Sequence, residues 1–177
     1  PYANSGTVVQ INLEDVPGSS SDALSMLKFQ AEIEKLAFQA GGGNLVAPAQ
    51  RMIDFVNNKL SKDLPSNSYI PGTKSADLRS VLPEFIFKRL QKALPAFGKK
   101  MHGYYTNEAI LVGVESRTSS AVRIPRDKES LQHPQLEGLF PCGEGAGYAG
   151  GIVSAAIDGM NCADAVYSAI SQTEKSF

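Results

Sequence analysis

The chain has 177 residues, 42% of them hydrophobic, and its 17 basic and 18 acidic side chains leave a net charge of −1. That is enough apolar content for a core in one or two domains, and the even charge balance argues against a nucleic-acid or acidic-lipid binder. No apolar run is long enough to span a bilayer and Pro1-Tyr2-Ala3-Asn4 does not open a signal peptide, so a cytoplasmic setting is expected.

In chain order, Thr7-Val8-Val9-Gln10-Ile11-Asn12-Leu13 alternates well enough for a strand, and Asp15-Val16-Pro17-Gly18-Ser19-Ser20 reads as a break. Asp22 is placed to cap a helix carrying Leu24, Leu27, Ala31, Leu36 and Ala40, which Gly41-Gly42-Gly43 should stop. A second helix is expected from Ala49 to Leu60, then a loop at Pro65-Ser66-Asn67-Ser68-Tyr69-Ile70-Pro71-Gly72 open to solvent or ligand. The stretch Ala76 to Leu94 is divided by Pro83, which suits the first position of a helix. Three strands follow: Ala109 to Glu115, Ala121 to Ile124, and Gly138 to Cys142. The last helix, Gly151 to about Gln172, has Ile152, Ala155, Ala156, Met160, Ala163, Val166 and Ile170 at helical spacing, with small residues that suit packing on a sheet. No internal repeat or low-complexity tract is present.

The most informative stretch is Leu139 to Val153, where Gly143, Gly145, Gly147, Gly150 and Gly151 join a short apolar segment to the long helix. Such a turn brings bare backbone up to a ligand, and the helix behind it presents unpaired N–H groups and its positive dipole end to an anion or an electron-rich ring edge. Gly145-x-Gly147-x-x-Gly150 matches the dinucleotide fingerprint only as a string, since no further strand with an acidic ribose ligand follows it. The alternative is a turn that merely packs a strand onto a helix.

Catalytic constellations are sparse. His102 and His133 stand in separate loops without a nucleophile pattern and read as loop residues rather than bases. Glu34, Asp54, Asp63, Asp77 and Glu84 are scattered along helical stretches as solvated faces, and no metal-ligand spacing is present. Lys99-Lys100 beside Tyr104-Tyr105 is too short for a nucleic-acid patch. Cys142 and Cys162, with about five helical turns between them, are expected to stay reduced and unbridged. Arg117-Thr118-Ser119-Ser120 bunches a guanidinium with three hydroxyls after a strong strand, so it is either a polar turn or an anion site. Arg51 is a second candidate of that kind, and Tyr69 a third that would otherwise anchor its loop.

Leu139 to Val153 with Ser154-Ala155-Ala156-Ile157-Asp158-Gly159 behind it resembles the C-terminal flavin-binding segment of the uncharacterised FAD-dependent dehydrogenases, bacterial and plastid flavoproteins with two dinucleotide folds. Ala3-Asn4-Ser5-Gly6, Gln39-Ala40-Gly41-Gly42-Gly43-Asn44 with Ala47-Pro48-Ala49-Gln50-Arg51, Ser68-Tyr69-Ile70-Pro71-Gly72 and Glu115 to Ile124 resemble segments of that family in the same order. Ala121 departs from the family, which usually has proline there, and the family's N-terminal ADP-binding strand, glycine turn and helix do not precede Pro1. The resemblance thus implies a C-terminal piece of an FAD-dependent oxidoreductase in a bacterial cytoplasm. It implies an α/β fold: a partial three-layer FAD/NAD(P)-binding lobe built from the chain ends, residues 1–20 and 105–177, around a mainly helical insertion at 21–104.

In that reading Gly143, Glu144, Gly145, Ala146, Gly147, Gly150, Gly151 and Ile152 contact FAD. Glu144 accepts a hydrogen bond from the ribityl chain, and the backbone near Gly150, Gly151 and Ile152 faces the N1/O2 edge of the ring. Arg117 and Arg51 are the catalytic candidates, a nicotinamide nucleotide is a candidate electron partner, and a sheet edge left open by truncation invites self-association. The alternatives are an FAD-associated binding or RNA-modification-linked module docking through its helical region, and a cofactor-free interaction domain.

Overall fold

The computed structural model describes residues 2–18 and 22–174. Two compact units are present, one made of Pro1–Pro17 and Lys28–Ser116, the other of Gly18–Leu27 and Arg117–Phe177. Both belong to a mixed α/β chain with a small open sheet.

The Asp22 carboxylate accepts the Leu24 N–H at 2.9 Å and its carbonyl accepts the Ser25 N–H at 3.0 Å, so the expected cap starts α1 (Ser25–Gly41). The glycine stop also holds, with the Gly43 N–H donating to the Phe38 carbonyl at 2.9 Å. The buried face of α1 carries Ile33 and Ala37, whereas Leu24 and Leu27 are exposed.

The stretch expected as a second helix divides instead into strand β1 (Ala47–Arg51) and a short helix α2 (Met52–Val56). Alanine and glutamine prefer helix, but β1 is the central strand of the sheet: it pairs in parallel with β2 (Thr73–Ser75) and antiparallel with β3 (Ile110–Val112). Burial on both sides outweighs a propensity difference of about 0.5 kcal/mol per residue. Gln50 is 1% exposed with both ends of its amide engaged, its Nε2 donating to the Lys59 carbonyl at 2.6 Å and its Oε1 accepting the Leu78 N–H at 3.0 Å.

Pro83 stands one position before α3 (Glu84–Lys100), and its carbonyl accepts the Phe87 N–H at 3.0 Å. Helix α3 runs on through Pro95, which offers no N–H to the turn before it. Packing keeps the helix intact: Phe87 and Leu94 on this helix join Met52, Phe55 and Leu78 in the main core. The Phe55 and Phe87 rings lie 4.7 Å apart at 60°.

Three expected strands do not form. Thr7 to Leu13 runs as irregular backbone beside α3, held by Tyr104 through the Thr7 hydroxyl and by Arg89, which donates to the Gln10 carbonyl and pairs with Asp15 at 2.9 Å. It meets no strand among the described residues, and alternation without a partner makes no ladder. The turn expected after it reaches Ser19 and Ser20, which lie outside the described residues. Residues 121–124 and 138–142 are also irregular: Ile124 donates to the glycine turn at Ala146, while the Leu139 and Pro141 carbonyls accept from the His133 N–H and the Arg126 guanidinium. The last helix does form, as α4 (Ile152–Glu174). Among the described residues no helix is long and apolar enough to cross a membrane.

Candidate functional site

The glycine turn lies in the second unit, and its conformation follows from a few specific contacts. The Gly147 N–H donates to the Glu144 carbonyl at 2.9 Å and the Tyr148 N–H to the Gly143 carbonyl at 3.0 Å, folding the turn on itself. Gly147 has φ +84°, and a Cβ there would lie 2.8 Å from the Val122 carbonyl oxygen. Residues 120–126 clamp the turn from outside. Ser120 Oγ lies 3.1 Å from the Gly145 carbonyl, the Ile124 N–H donates to the Ala146 carbonyl at 3.1 Å, and the Tyr148 hydroxyl donates to the Ile124 carbonyl at 2.8 Å.

A largely buried ion pair ties this assembly to α4. The Arg126 guanidinium binds the Asp158 carboxylate with both terminal nitrogens, at 2.6 and 3.0 Å, and donates to the Pro141 carbonyl at 2.8 Å. The same carboxylate accepts the Gly143 N–H at 2.8 Å. Both side chains are close to buried, at 10% and 13% exposure, and the face of Tyr148 lies 3.6 Å from the guanidinium carbon. Arg126 and the Gly143 N–H hold the Asp158 carboxyl below the ordinary carboxylate range, and Asp158 in turn raises the guanidinium pKa. Sequence reading missed this pair. Its one signal was Asp158 as the sole acidic residue between Ile152 and Cys162.

The residues expected to face a flavin divide into two sets. Gly143 (φ +70°), Ala146 and Gly147 shape the turn, Ala146 as a buried side chain. Gly145 and Gly150 border open space, with nothing within 4 Å of the point where a Cβ would stand, and Glu144, Gly151 and Ile152 are exposed. At the start of α4 the Ser154 hydroxyl accepts the Gly151 N–H at 3.2 Å and donates to the Gly151 carbonyl at 2.9 Å. The amide N–H groups of Ile152, Val153 and Ser154 make no hydrogen bond among the described residues, so the head of α4 presents three donors beside the open glycines.

The two arginine candidates differ. Arg51, in the first unit, is committed: its Nε and Nη2 bind Asp63, the Nε contact at 3.0 Å, and its Nη1 donates to the Asn107 carbonyl at 2.7 Å. Arg117 is exposed at the start of the second unit's long segment. Tyr69 anchors its loop, its hydroxyl donating to the Leu45 carbonyl at 3.2 Å. His133 is a turn residue whose Nδ1 accepts the N–H groups of Gln135 and Leu136 at 3.1 and 3.2 Å.

Of the acidic residues expected on solvated faces, Asp63, Asp77 and Glu84 are exposed, and these residues also hold structure. Asp54 accepts from Ser61, Asp63 pairs with Arg51, Asp77 caps a short turn at Arg79, and Glu34 accepts the Ser116 hydroxyl at 2.6 Å. Among the described residues no group of His, Cys, Asp and Glu could hold a metal ion.

The family described as FAD-dependent protein, C-terminal domain-like, matches residues 1–118, and the chain belongs to it. That match ends two residues beyond Ser116, the last residue of the first compact unit, so the glycine turn lies past it. An uncharacterised protein of Clostridium beijerinckii is 43% identical over 164 residues, which cover 92% of this chain. The chain spans 30% of the length of that curated relative.

Proposed function

We propose that this chain forms the C-terminal part of an FAD-dependent oxidoreductase and that its glycine turn and the head of α4 face the flavin. The observation that carries the reading is the set of three amide donors, at Ile152, Val153 and Ser154, that make no hydrogen bond among the described residues, beside glycines that leave open space. The donor set suits the electron-rich edge of a flavin ring, where negative charge grows on reduction. Bound FAD supplies hydride transfer at its ring. The chain's own part is to orient that ring, through Gly145, Gly150 and Gly151 at close approach, and to stabilise charge through the donors of α4.

Glu144, exposed, accepts a hydrogen bond from a hydroxyl of the cofactor's sugar-alcohol chain. Arg117, exposed in the second unit, binds an anionic group of the substrate or cofactor, and Arg51 acts by holding its loop through Asp63 and Asn107. Two dinucleotide folds, a nicotinamide nucleotide as electron donor and a bacterial cytoplasmic location complete the proposal.

Purified full-length protein is expected to be yellow with bound FAD, and anaerobic addition of a nicotinamide nucleotide should bleach its visible band. A colourless protein that takes up no added FAD would overturn the reading and favour a cofactor-free interaction domain.

A further inference from the structure

Sequence spacing sets the two cysteines far apart, but the chain returns on itself. The Pro141 carbonyl, one residue before Cys142, lies 3.9 Å from the Cys162 sulfur and accepts its S–H. The Gly143 N–H, one residue after, donates to Asp158, one helical turn before Cys162. Cys142 is therefore held between two points of contact with α4, and the residues that separate the thiols in sequence are the glycine turn and the helix head that loop out between them. Cys142 is exposed and Cys162 is 4% exposed.

We propose that Cys142 and Cys162 form a thiol–disulfide couple, with Cys142 as the accessible thiol and Cys162 as the resolving one. This inference does not depend on the flavin reading. A disulfide needs Cα atoms within about 7 Å and sulfurs that face each other. Burial pushes the Cys162 thiol up, and the neighbouring Asp158 charge adds to that rise. Arg126 opposes the rise: its Nη1 donates to the Cys162 sulfur at 3.3 Å and favours the thiolate.

The co-reactant is a small-molecule disulfide such as oxidised glutathione. The Cys142 thiolate attacks one of its sulfurs, a Cys142–glutathione bond forms, the glutathione S–S bond breaks, and one glutathione thiolate leaves. Cys162 then gives its proton to water and attacks the Cys142 sulfur, forming the internal S–S bond as the second glutathione thiolate leaves. Two protein thiols are oxidised, the glutathione disulfide is reduced to two thiols, and the protons released balance those taken up by the leaving groups. The new bond would join the base of the glycine turn to α4 beside the Arg126–Asp158 pair.

Full-length protein treated with oxidised glutathione and then blocked with an alkylating agent tests this. Trypsin leaves both cysteines in one peptide, residues 129–175, because no Lys or Arg lies between Lys128 and Lys175. That peptide should lose the mass of two hydrogens, and further cleavage at Glu144 or Asp158 should give fragments that separate only after reduction. Cys162→Ser should instead retain glutathione on Cys142, and Cys142→Ser should carry neither modification. The couple is disproved if the unsubstituted protein keeps glutathione stably on Cys142, if Cys142 links to any thiol other than Cys162, or if both thiols stay reduced. The readout on unsubstituted protein decides the matter even where a variant folds poorly.

Discussion

Asp158 holds three things at once: the Arg126 charge, the Gly143 N–H, and through these the base of the glycine turn. Asp158→Ala strands a nearly buried guanidinium and a backbone donor, and should cost about 3 kcal/mol, the low end for breaking a buried pair because some water reaches it. Asp158→Asn keeps an acceptor for Gly143 and should cost less, as chemical denaturation of both variants would show. The pH dependence has a definite sign. The folded carboxyl titrates below its ordinary 3.8, so its contribution is complete above that value and is lost as pH falls through the lowered folded pKa. Asp127, held down by the Ser130 and Glu129 N–H groups, and Asp15, held down by the Asn12 N–H and Arg89, fall in the same acid window. The Asp158 share is therefore read as the difference between parent and Asp158→Asn, whose acid limb should be shallower. An identical limb would mean that the ion pair contributes nothing below neutrality.

Within the glycine turn, substitutions should sort by what each glycine does. Gly150 borders open space among the described residues and lacks a positive φ, so Gly150→Val has room there, while a ligand lying against it would feel the side chain. FAD affinity of the full-length protein should fall by tenfold or more, about 1.4 kcal/mol, with circular dichroism and melting unchanged. Gly147→Val forces a branched side chain into a left-handed backbone and against the Val122 carbonyl, and should destabilise the turn with or without cofactor. If Gly150→Val binds FAD like the parent, the flavin does not lie on this face. The same contrast marks how far sequence carries. The glycine cluster, α4, the Asp22 cap and the strand around Ile110 were legible because each rests on local chemistry: missing side chains, apolar periodicity, a capping carboxylate. Strand β1 was not, since Ala47-Pro48-Ala49-Gln50 becomes a strand only by insertion between β2 and β3. Arg126 was not either, because its partners are 15 to 36 residues away and no local pattern encodes them.

For the molecule as a whole, α4 raises a question of coverage. Val153, Met160, Tyr167 and Ile170 are 71%, 69%, 74% and 56% exposed, and with Ala156 and Ala163 they form a stripe at alternating spacings of three and four. A run of this kind is apolar surface that an isolated soluble chain rarely leaves bare. The relative from Clostridium beijerinckii has most of its length outside the matched region, since this chain spans 30% of it. We expect the remainder of the full-length protein to cover the stripe and to supply the ADP side of the cofactor site. Residues 1–177 expressed alone should then be colourless, quench FAD fluorescence only weakly, and bind an apolar dye along α4. The full-length protein should retain FAD through purification and bind the dye poorly. On the proposed function the glycine turn and helix-head donors hold only one edge of the ring, whereas tight binding of a dinucleotide needs its phosphates and adenosine held as well. A stoichiometric yellow complex formed by residues 1–177 with nanomolar affinity would show that the whole cofactor site lies within them.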